Sequence, residues 1–451
     1  MTAQPESHMA SSIPQAGQRT SVSSTQPWSD TAHSLWEATS NERPPISTLD
    51  SALRADVVVI GAGYLGLAAA LQLAEQGTDV IVLDAQGPGY GASGRNGGQV
   101  IPGLKHDPDD LATLYGAALA ERLVEFAGAA PDRVFGLIDR YRIDCDPVRK
   151  GWIQGAHNAT ALAAVQSRAR QWIDRGASAE LLDAHAVTHA VGCAPGVYQG
   201  GWIDRRAGSL HPLNYALGLA SAAMSCGVRL FGRTTASRID RVNNHWVVST
   251  AQGASVTASQ VVIATNAYTD DLWPKLRTSI IPAQSFQIAT DPLPPSLRAS
   301  MLRDRPVVSD ARRLLHYYRF DAEGRFVMGG RGTLSAPRGF DDFRHILRAV
   351  AKAFPQLSDV PARFAWAGRL AMTRDGMPHV HQPVPGITIA LGCNGRGIAL
   401  TTAMGQEIAQ NLLSGAALPL TGSAVRPIPL HGMHRLYVSL LVQYYKIRDM
   451  L

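Results

Sequence analysis

The stretch Ala55 to Asp84, ADVVVIGAGYLGLAAALQLAEQGTDVIVLD, restricts the fold more than any other part of the chain. Val57 to Ile60 is a β-branched apolar run too short for a helix, and it reads as a buried parallel strand. Gly61, Gly63 and Gly66 follow at G-x-G-x-x-G spacing. Leu65, Ala68, Ala69, Leu71 and Leu73 then repeat with helical period until Gly77, and Val80 to Leu83 is a second buried strand closed by Asp84. Each glycine has a job in such a unit. Gly61 permits the tight turn, Gly63 leaves room for a pyrophosphate beside the backbone, and Gly66 lets the helix lie close to the strand. The helix N-terminus offers free N–H groups to the pyrophosphate. Asp84 stands at the offset of an acid that accepts from an adenosine ribose. Glycines that merely turn a chain would not require that acid, so the stretch predicts dinucleotide binding.

The length, 451 residues, allows two domains and a large core. A net charge of +6 is spread without any run of five or six basic residues, so neither a nucleic-acid nor a membrane surface is expected. Cys145, Cys193, Cys226 and Cys393 form no C-x-x-C, which argues against a zinc site or a redox pair and fits reduced thiols in the cytoplasm. The histidines make no metal-binding pattern, and no metal is expected. The first 50 residues are rich in Ser, Thr, Gln and Pro and carry neither a signal peptide nor an anchor. No stretch reaches the roughly 18 apolar residues of a membrane span. Residues 1–25 are expected to be a disordered tail, and Trp28 to Trp36 a short ordered arm.

After the nucleotide unit comes Gly87 to Val100, GPGYGASGRNGGQV, dense in glycine. Such a loop brings backbone N–H groups close to a ligand, with Ser93, Arg95, Asn96 and Gln99 as polar contacts; the alternative is a flexible surface loop. Helices are predicted over 109–140, 159–175 and from Pro212 to Cys226, with a strand at 151–153 and further strands at Val228 to Phe231, Trp246 to Thr250 and Val261 to Thr265. From Ile280 the pattern turns antiparallel. Ser285 to Ala289 is a strand, and Leu314 to Phe320 and Phe326 to Gly330 flank the turn Asp321 to Gly324 as a hairpin. Ile387 to Leu391 leads into the loop GCNGRG and a helix, a second arrangement of strand, glycine loop and helix. The fold class is therefore α/β. A discontinuous dinucleotide domain is expected over 50–135, 195–275 and 365–430. A second domain with a mixed or antiparallel sheet is expected over 140–190 and 276–364, and a C-terminal helix over 431–451.

Together, Val59 to Gly66, the run GASGRNGGQ (Gly91 to Gln99), VIATNAY (Val262 to Tyr268), Trp366 to Gly368 and GCNGRGIALTTAMG (Gly392 to Gly405) resemble the D-amino-acid oxidase-like superfamily of FAD-dependent oxidoreductases, nearest its gamma-glutamylputrescine oxidase branch. The resemblance runs from about residue 25 to 451. It implies a glutathione-reductase-like FAD domain and FAD rather than NAD. It assigns Gly61, Gly63, Tyr64, Leu65 and Gly66 to the pyrophosphate, and Asp84 with Ala85 to the ribose, where relatives more often carry Glu. It places Ser93, Gly94, Arg95, Asn96, Gly97, Gly98 and Gln99 along the ribityl chain and ring, with Ala264 and Thr265 beside the cofactor. Asn394, Gly395, Arg396, Gly397 and Ile398 come to the pyrimidine side. Cys393 lies in no tethering pattern, so the FAD is expected to be non-covalent.

The chemistry the resemblance implies is hydride transfer from an amine-bearing carbon to flavin N5, hydrolysis of the imine, and reoxidation by dioxygen with release of hydrogen peroxide. No side-chain base is then required, and no catalytic residue is nominated. For substrate contact the hairpin residues His316, Tyr317 and Tyr318 are candidates. They alternate in direction, so one or two face the pocket, ordinary strand packing being the other reading. Arg331 and Arg396 are candidate clamps for a carboxylate, Arg396 the better placed of the two. Trp366 is read either as a flavin neighbour or as core. The expected substrate is a small-molecule amine, gamma-glutamylputrescine-like or another amine or amino acid. Three alternatives are a dehydrogenase of the same fold that reduces a quinone-type acceptor, a flavoprotein without turnover, and a nicotinamide dehydrogenase, which would not need the glycine loops at 87–100 and 392–397. The sequence carries no signal for oligomeric state.

Overall fold

Val57 to Ile60 is buried on both sides, and the alternation explains why all four residues are apolar. Val57 and Val59 join the larger hydrophobic core on one face of the sheet, and Val58 and Ile60 join a second core on the other. A computed structural model describes residues 33–420 and 424–449. The expected tail over 1–25 and Trp28 lie outside the described residues.

The strand Ala52–Ile60 runs parallel to Val80–Leu83 on one side and to Ser255–Ile263 on the other. Ile387–Leu391 extends the parallel set beyond Ser255–Ile263, and Arg229–Phe231 extends it beyond Val80–Leu83. His379–His381 closes one edge in antiparallel sense. The helices Tyr64–Glu75 and Gly397–Ser414 follow the parallel strands Ala52–Ile60 and Ile387–Leu391. Both therefore begin at the same carboxyl edge of the sheet, where open α/β sheets bind ligands. The two helices pack on each other at Gly405, where a side chain would collide with the Leu65 carbonyl.

A second sheet of eight strands lies beside this one. Its order is Ala362–Met372, Ile281–Pro292, Arg325–Arg331, His316–Phe320, Val307–Asp310, Trp152–Ala156, Gly200–Asp204, Ala179–Asp183. All neighbours are antiparallel except Val307–Asp310 and Trp152–Ala156. Two strands that the sequence assigned to the dinucleotide half, Gly200–Asp204 and Ala362–Met372, pair within this second sheet. Their apolar character suits either sheet, and only the partners decide.

The predicted helix over 109–140 is two helices, Pro108–Tyr115 and Ala117–Tyr141, separated by Gly116 at φ 78°. Pro131 sits inside the second. The C-terminal helix is His434–Arg448. A short helix, Leu35–Ala38, belongs to the arm that the aromatics suggested, and Leu35 and Trp36 are buried.

Candidate cofactor and substrate site

The G-x-G-x-x-G loop has the conformation its residues allow. Gly61 adopts φ +110°, and a Cβ on Gly66 would run into the Gly61 carbonyl. The Asp84 carboxylate accepts from the backbone N–H of Ala62, Gln86 and Gly87, each at 2.8 Å. It thus ties the first loop to the second before any ligand arrives. Burial raises its pKa, and the three N–H bonds oppose that shift. Three bonds leave at least one of about four lone-pair sites for a ribose hydroxyl.

The loop from Ser93 to Gln99 is held from behind by its carbonyls. Arg95 O accepts from Trp366 Nε1 at 3.0 Å and from the Gln287 amide. Asn96 O accepts from Trp36 Nε1 at 2.9 Å, and Gly97 O from Arg319 Nε at 2.7 Å. The Asn96 side chain gathers the same turn, donating to Ala92 O, Ser93 O and Tyr64 Oη, and accepting from Gly98 N–H at 2.8 Å. The N–H groups of Gly94, Arg95 and Gly98 are bonded within the turn, to Gly91 O, Ala92 O and Asn96 Oδ1. With three successive carbonyls pulled into the protein, it is Asn96 and Gly97 whose N–H groups stand to meet an acceptor on the other side. Gln99 reaches back to Val308 O and Tyr318 O. Ser93 Oγ accepts from Tyr64 N–H at 3.2 Å, joining the loop to the first helix turn. The Arg95 guanidinium lies 4.6 Å over the Tyr90 ring.

On the far side, Asn394 braces its own loop. It takes φ 49°, its Oδ1 accepts from Thr373 N–H at 3.0 Å, and its amide donates to Thr373 Oγ1 and Gly392 O. Asn266, just past Ala264 and Thr265, clamps the same loop by accepting from Gly392 N–H at 2.9 Å and donating to Cys393 Sγ. Nothing lies within 4 Å of the positions where side chains on Gly395 and Gly397 would stand. That open cradle adjoins the first turn of Gly397–Ser414, with Ile398 buried beneath it. An open cradle at one helix N-terminus, a close-packed glycine turn at the other and a carbonyl-pinned loop between them fit a dinucleotide such as FAD.

The register of the second sheet settles which hairpin residue faces this loop. Trp366, Gln287, Gly329, Tyr317, Ser309, Gln154 and Trp202 lie side by side in one row across seven strands. Paired residues share a face. That face meets the 93–99 loop, since Gln287 and Trp366 both bond Arg95 O and a Cβ on Gly97 would stand 2.6 Å from the Tyr317 ring. The ring also lies flat on Gly329, where no side chain would fit. The Tyr317 hydroxyl bonds Ser285 Oγ at 2.7 Å, and burial pushes its pKa up to about 12. Tyr318 points the other way into the second core and bonds Tyr198 Oη at 2.8 Å. His316 shares that opposite face, 3.4 Å from the buried Asp310 carboxylate. Trp366 is wholly buried, edge-on to Trp36 with centroids 5.7 Å apart, and supports the loop from the rear.

Arg331 ends the strand beside Tyr317, two residues past Gly329 and therefore on the same face. Arg396 turns inward. Its Nη1 donates to Pro102 O at 2.6 Å, its guanidinium lies 5.3 Å over Trp152, and burial followed by Arg168 lowers its pKa to about 10. Sequence reasoning missed Trp36, Gln287, Arg319 and Asn266 as supports of the site. Trp36 and Asn266 fell within stretches already singled out, but a lone Gln or Arg in a strand carries no such signal.

The parallel sheet with its glycine turn, and a second sheet whose tyrosine faces the glycine-dense loop, define the class as a dinucleotide-dependent oxidoreductase. The family model described as "DAO: FAD dependent oxidoreductase" matches residues 56–411, and the chain belongs to that family of FAD-dependent enzymes. It is 35% identical over 425 residues to gamma-glutamylputrescine oxidoreductase of Escherichia coli, covering 93% of this chain and 98% of that protein. It is 34% identical to the probable oxidoreductase OrdL of Haemophilus influenzae, covering 90% and 94%. Among solved structures, glycine oxidase from Geobacillus kaustophilus superposes with a TM-score of 0.69 at 22% identity, covering 82% of this chain and 96% of that one. Among the described residues, no helix is long and apolar enough to cross a membrane.

Proposed function

We propose that this protein oxidises the amine-bearing carbon of a gamma-glutamylputrescine-like substrate, with non-covalent FAD as its cofactor and dioxygen as the final acceptor. The observation that carries this reading is 35% identity, across nearly the full length of both chains, to a relative named gamma-glutamylputrescine oxidoreductase. Bound FAD supplies the two-electron oxidation, and the chain supplies place, dryness and charge.

In this reading the N–H groups around Gly63, Tyr64, Leu65 and Gly66 receive the pyrophosphate. The free lone pair of Asp84, with Ala85 beside it, meets the ribose. Ala264 and Thr265 flank the cofactor at the end of Ser255–Ile263, and the pinned loop 93–99 lies along the ribityl chain and ring, presenting the N–H groups of Asn96 and Gly97. Gly395, Arg396 and Gly397 border the pyrimidine, where the start of Gly397–Ser414 favours negative charge. The Cys393 thiol is taken up by Asn266, which supports a cofactor held without a covalent tether.

Tyr317, neutral at working pH, is the aromatic wall against which an amine sits. Arg331 and Arg396 receive an acid at the other end of the substrate. Cations in a low-dielectric site lower the pKa of a nearby amine, so the substrate amine binds neutral and no protein base is needed. His316, Tyr318 and Trp366 serve this site as packing behind its contacts. The reaction is placed in the cytoplasm, and the four free cysteines support that placement.

The test is an anaerobic titration of the FAD-loaded protein with gamma-glutamylputrescine, putrescine, sarcosine, glycine and several D-amino acids, followed at the flavin band. Bleaching by gamma-glutamylputrescine well below the others supports the reading, and bleaching only by an amino acid refutes its substrate. A second reading, a dehydrogenase with a quinone-type acceptor, is favoured by one observation. Leu436, Leu440, Tyr444 and Ile447 stand 51% to 64% exposed along the C-terminal helix. Fast dye reduction with slow oxygen uptake would select it.

A further inference from the structure

The helix His434–Arg448 is fixed to the protein at both ends. Before it, Ile428 N–H donates to Thr278 O at 2.8 Å, and His431 Nε2 lies 2.9 Å from Ile280 O. At its end, the Asp449 carboxylate accepts the N–H groups of Arg313 and Leu314, each at 3.0 Å. The Arg313 guanidinium also lies 5.4 Å from the centre of the Tyr445 ring. Val438, on the same inner side, is buried. The outer side is different. Met433, Leu436, Leu440, Tyr444 and Ile447 recur at intervals of three and four, so they form one line along the helix, and each is more than half exposed. Single apolar residues on a surface are ordinary. A continuous line of large ones, on a helix already anchored along its other side, is an interaction face.

Charge indicates what covers this face. From Ile408 to Arg448 the chain contains no acidic residue, and Arg426, Arg435, Lys446 and Arg448 are its cations. Asp449, the first acid after Glu407, is turned to the Arg313 and Leu314 N–H groups. Arg435 stands in the first turn of the helix and Arg448 in the last, and both are exposed. Among the described residues neither has a carboxylate partner. Arg448 reaches back along the line, Nη1 donating to Tyr444 Oη at 3.2 Å. The face is thus apolar along its middle and cationic at both ends. A second copy of the chain does not suit it, because pairing the two helices in either direction sets arginine against arginine with no acid between them. Five side chains are also far fewer than the roughly 20–30 residues that each partner brings to a standard interface. An anionic lipid surface suits both parts, since headgroup phosphates receive the arginines and the apolar line reaches the acyl boundary. No basic run announces this in the sequence, because the cations are spaced through the segment and its one mark is the missing acid.

We propose that His434–Arg448 seats this protein on an anionic lipid surface, lying flat with Met433, Leu436, Leu440, Tyr444 and Ile447 at the acyl boundary and Arg435 and Arg448 on headgroup phosphates. At 15 residues the helix lies in the plane of the membrane and does not cross it. The segment stands outside the 56–411 span of the family model. The inference holds whichever amine is oxidised, and it places the enzyme where a quinone-type acceptor dissolves.

The experiment mixes the full-length, FAD-loaded protein with vesicles of phosphatidylglycerol and phosphatidylcholine in equal parts, or of phosphatidylcholine alone, and measures the bound fraction by sedimentation. Binding should be about tenfold or more tighter to the anionic vesicles and should weaken as salt is raised. Leu436→Gln with Leu440→Gln should weaken it by about tenfold or more, and so should Arg435→Gln with Arg448→Gln. All four side chains are exposed, so the FAD content and thermal midpoint of these variants should match the wild type. Val384→Gln, at an exposed apolar residue elsewhere, should change nothing. No binding to anionic vesicles, or binding that the substitutions leave unchanged, overturns the proposal. Equal binding to both vesicle types also overturns it, since the arginines then play no part. So does a dimer, seen by light scattering, that Leu436→Gln with Leu440→Gln splits while no lipid is bound, because the face is then a contact between copies.

Discussion

Trp36 is the residue on which the cofactor loop can be tested most directly, because it reaches that loop from a part of the chain before the dinucleotide unit. It is 1% exposed, its Nε1 donates to Asn96 O, and its ring meets His211 at 4.9 Å and the Arg319 guanidinium at 5.0 Å. Trp36→Phe keeps most of the packing but strips the donor. A buried carbonyl left without a partner costs about 1–3 kcal/mol, and the weaker cation–π contact adds roughly 0.5–1 kcal/mol. If that carbonyl must be pinned for the loop to present its N–H groups, the loss falls on the conformation that binds FAD. At about 1.4 kcal/mol per decade, affinity should weaken on the order of tenfold or more. Trp36→Ala removes a whole buried side chain and should cost about 3–5 kcal/mol in folding stability. The assay pairs urea unfolding of the apoprotein with FAD titration by flavin fluorescence. The coupling to Trp366 gives a sharper criterion. Trp366→Phe leaves the neighbouring Arg95 carbonyl with the Gln287 amide alone, and because both tryptophans act on one turn the double variant should lose less than the sum of the two. Wild-type FAD affinity in Trp36→Phe, or strict additivity with Trp366→Phe, would refute the idea that the arm holds the loop in its binding form.

Three further predictions follow from the same geometry. Gly66→Ala drives a methyl group into the Gly61 carbonyl, so FAD binding should be lost while the second sheet keeps its stability, as read by absorbance and by hydrogen exchange. Asn266→Ala frees Gly392 N–H and should weaken FAD by about 1–3 kcal/mol, whereas Asn266→Asp, which keeps the acceptor, should recover part of that. His211 caps the helix Pro212–Ser225 with Nδ1 accepting Asn214 N–H, and burial followed by Arg319 lowers its pKa from 6.5 to about 3. The folded form therefore resists the proton that the unfolded chain takes up. The contribution is complete above pH 6.5 and falls by roughly 1.4 kcal/mol per unit as the pH drops from there towards 3. His211→Asn, which keeps a capping acceptor, should flatten that part of the stability curve in urea melts.

Much of the dinucleotide half was legible in the sequence for a physical reason. A strand buried on both faces must be apolar throughout, a tight turn against a helix must be glycine, and these demands fall on residues adjacent in the chain. Val57 to Asp84, the glycine-dense turn after Gly87 and the strand at Ile387 to Leu391 were read on that basis, and so was the hairpin around Gly324. The sequence likewise set the alternation of His316, Tyr317 and Tyr318, because neighbouring residues in a strand point to opposite faces. Which face meets the cofactor loop is decided by partners far away. Gln287, Gly329 and Ser309 line up with Tyr317 only when four separate strands pair in register. The same holds for Gly200–Asp204 and Ala362–Met372, whose residues suit either sheet until their neighbours are in place. Trp36 on the cofactor loop and Arg396 turned inward over Trp152 are likewise products of the tertiary structure. Side-chain chemistry is local, but hydrogen-bond partners, desolvation and the gathering of like charges depend on distances that chain order does not contain.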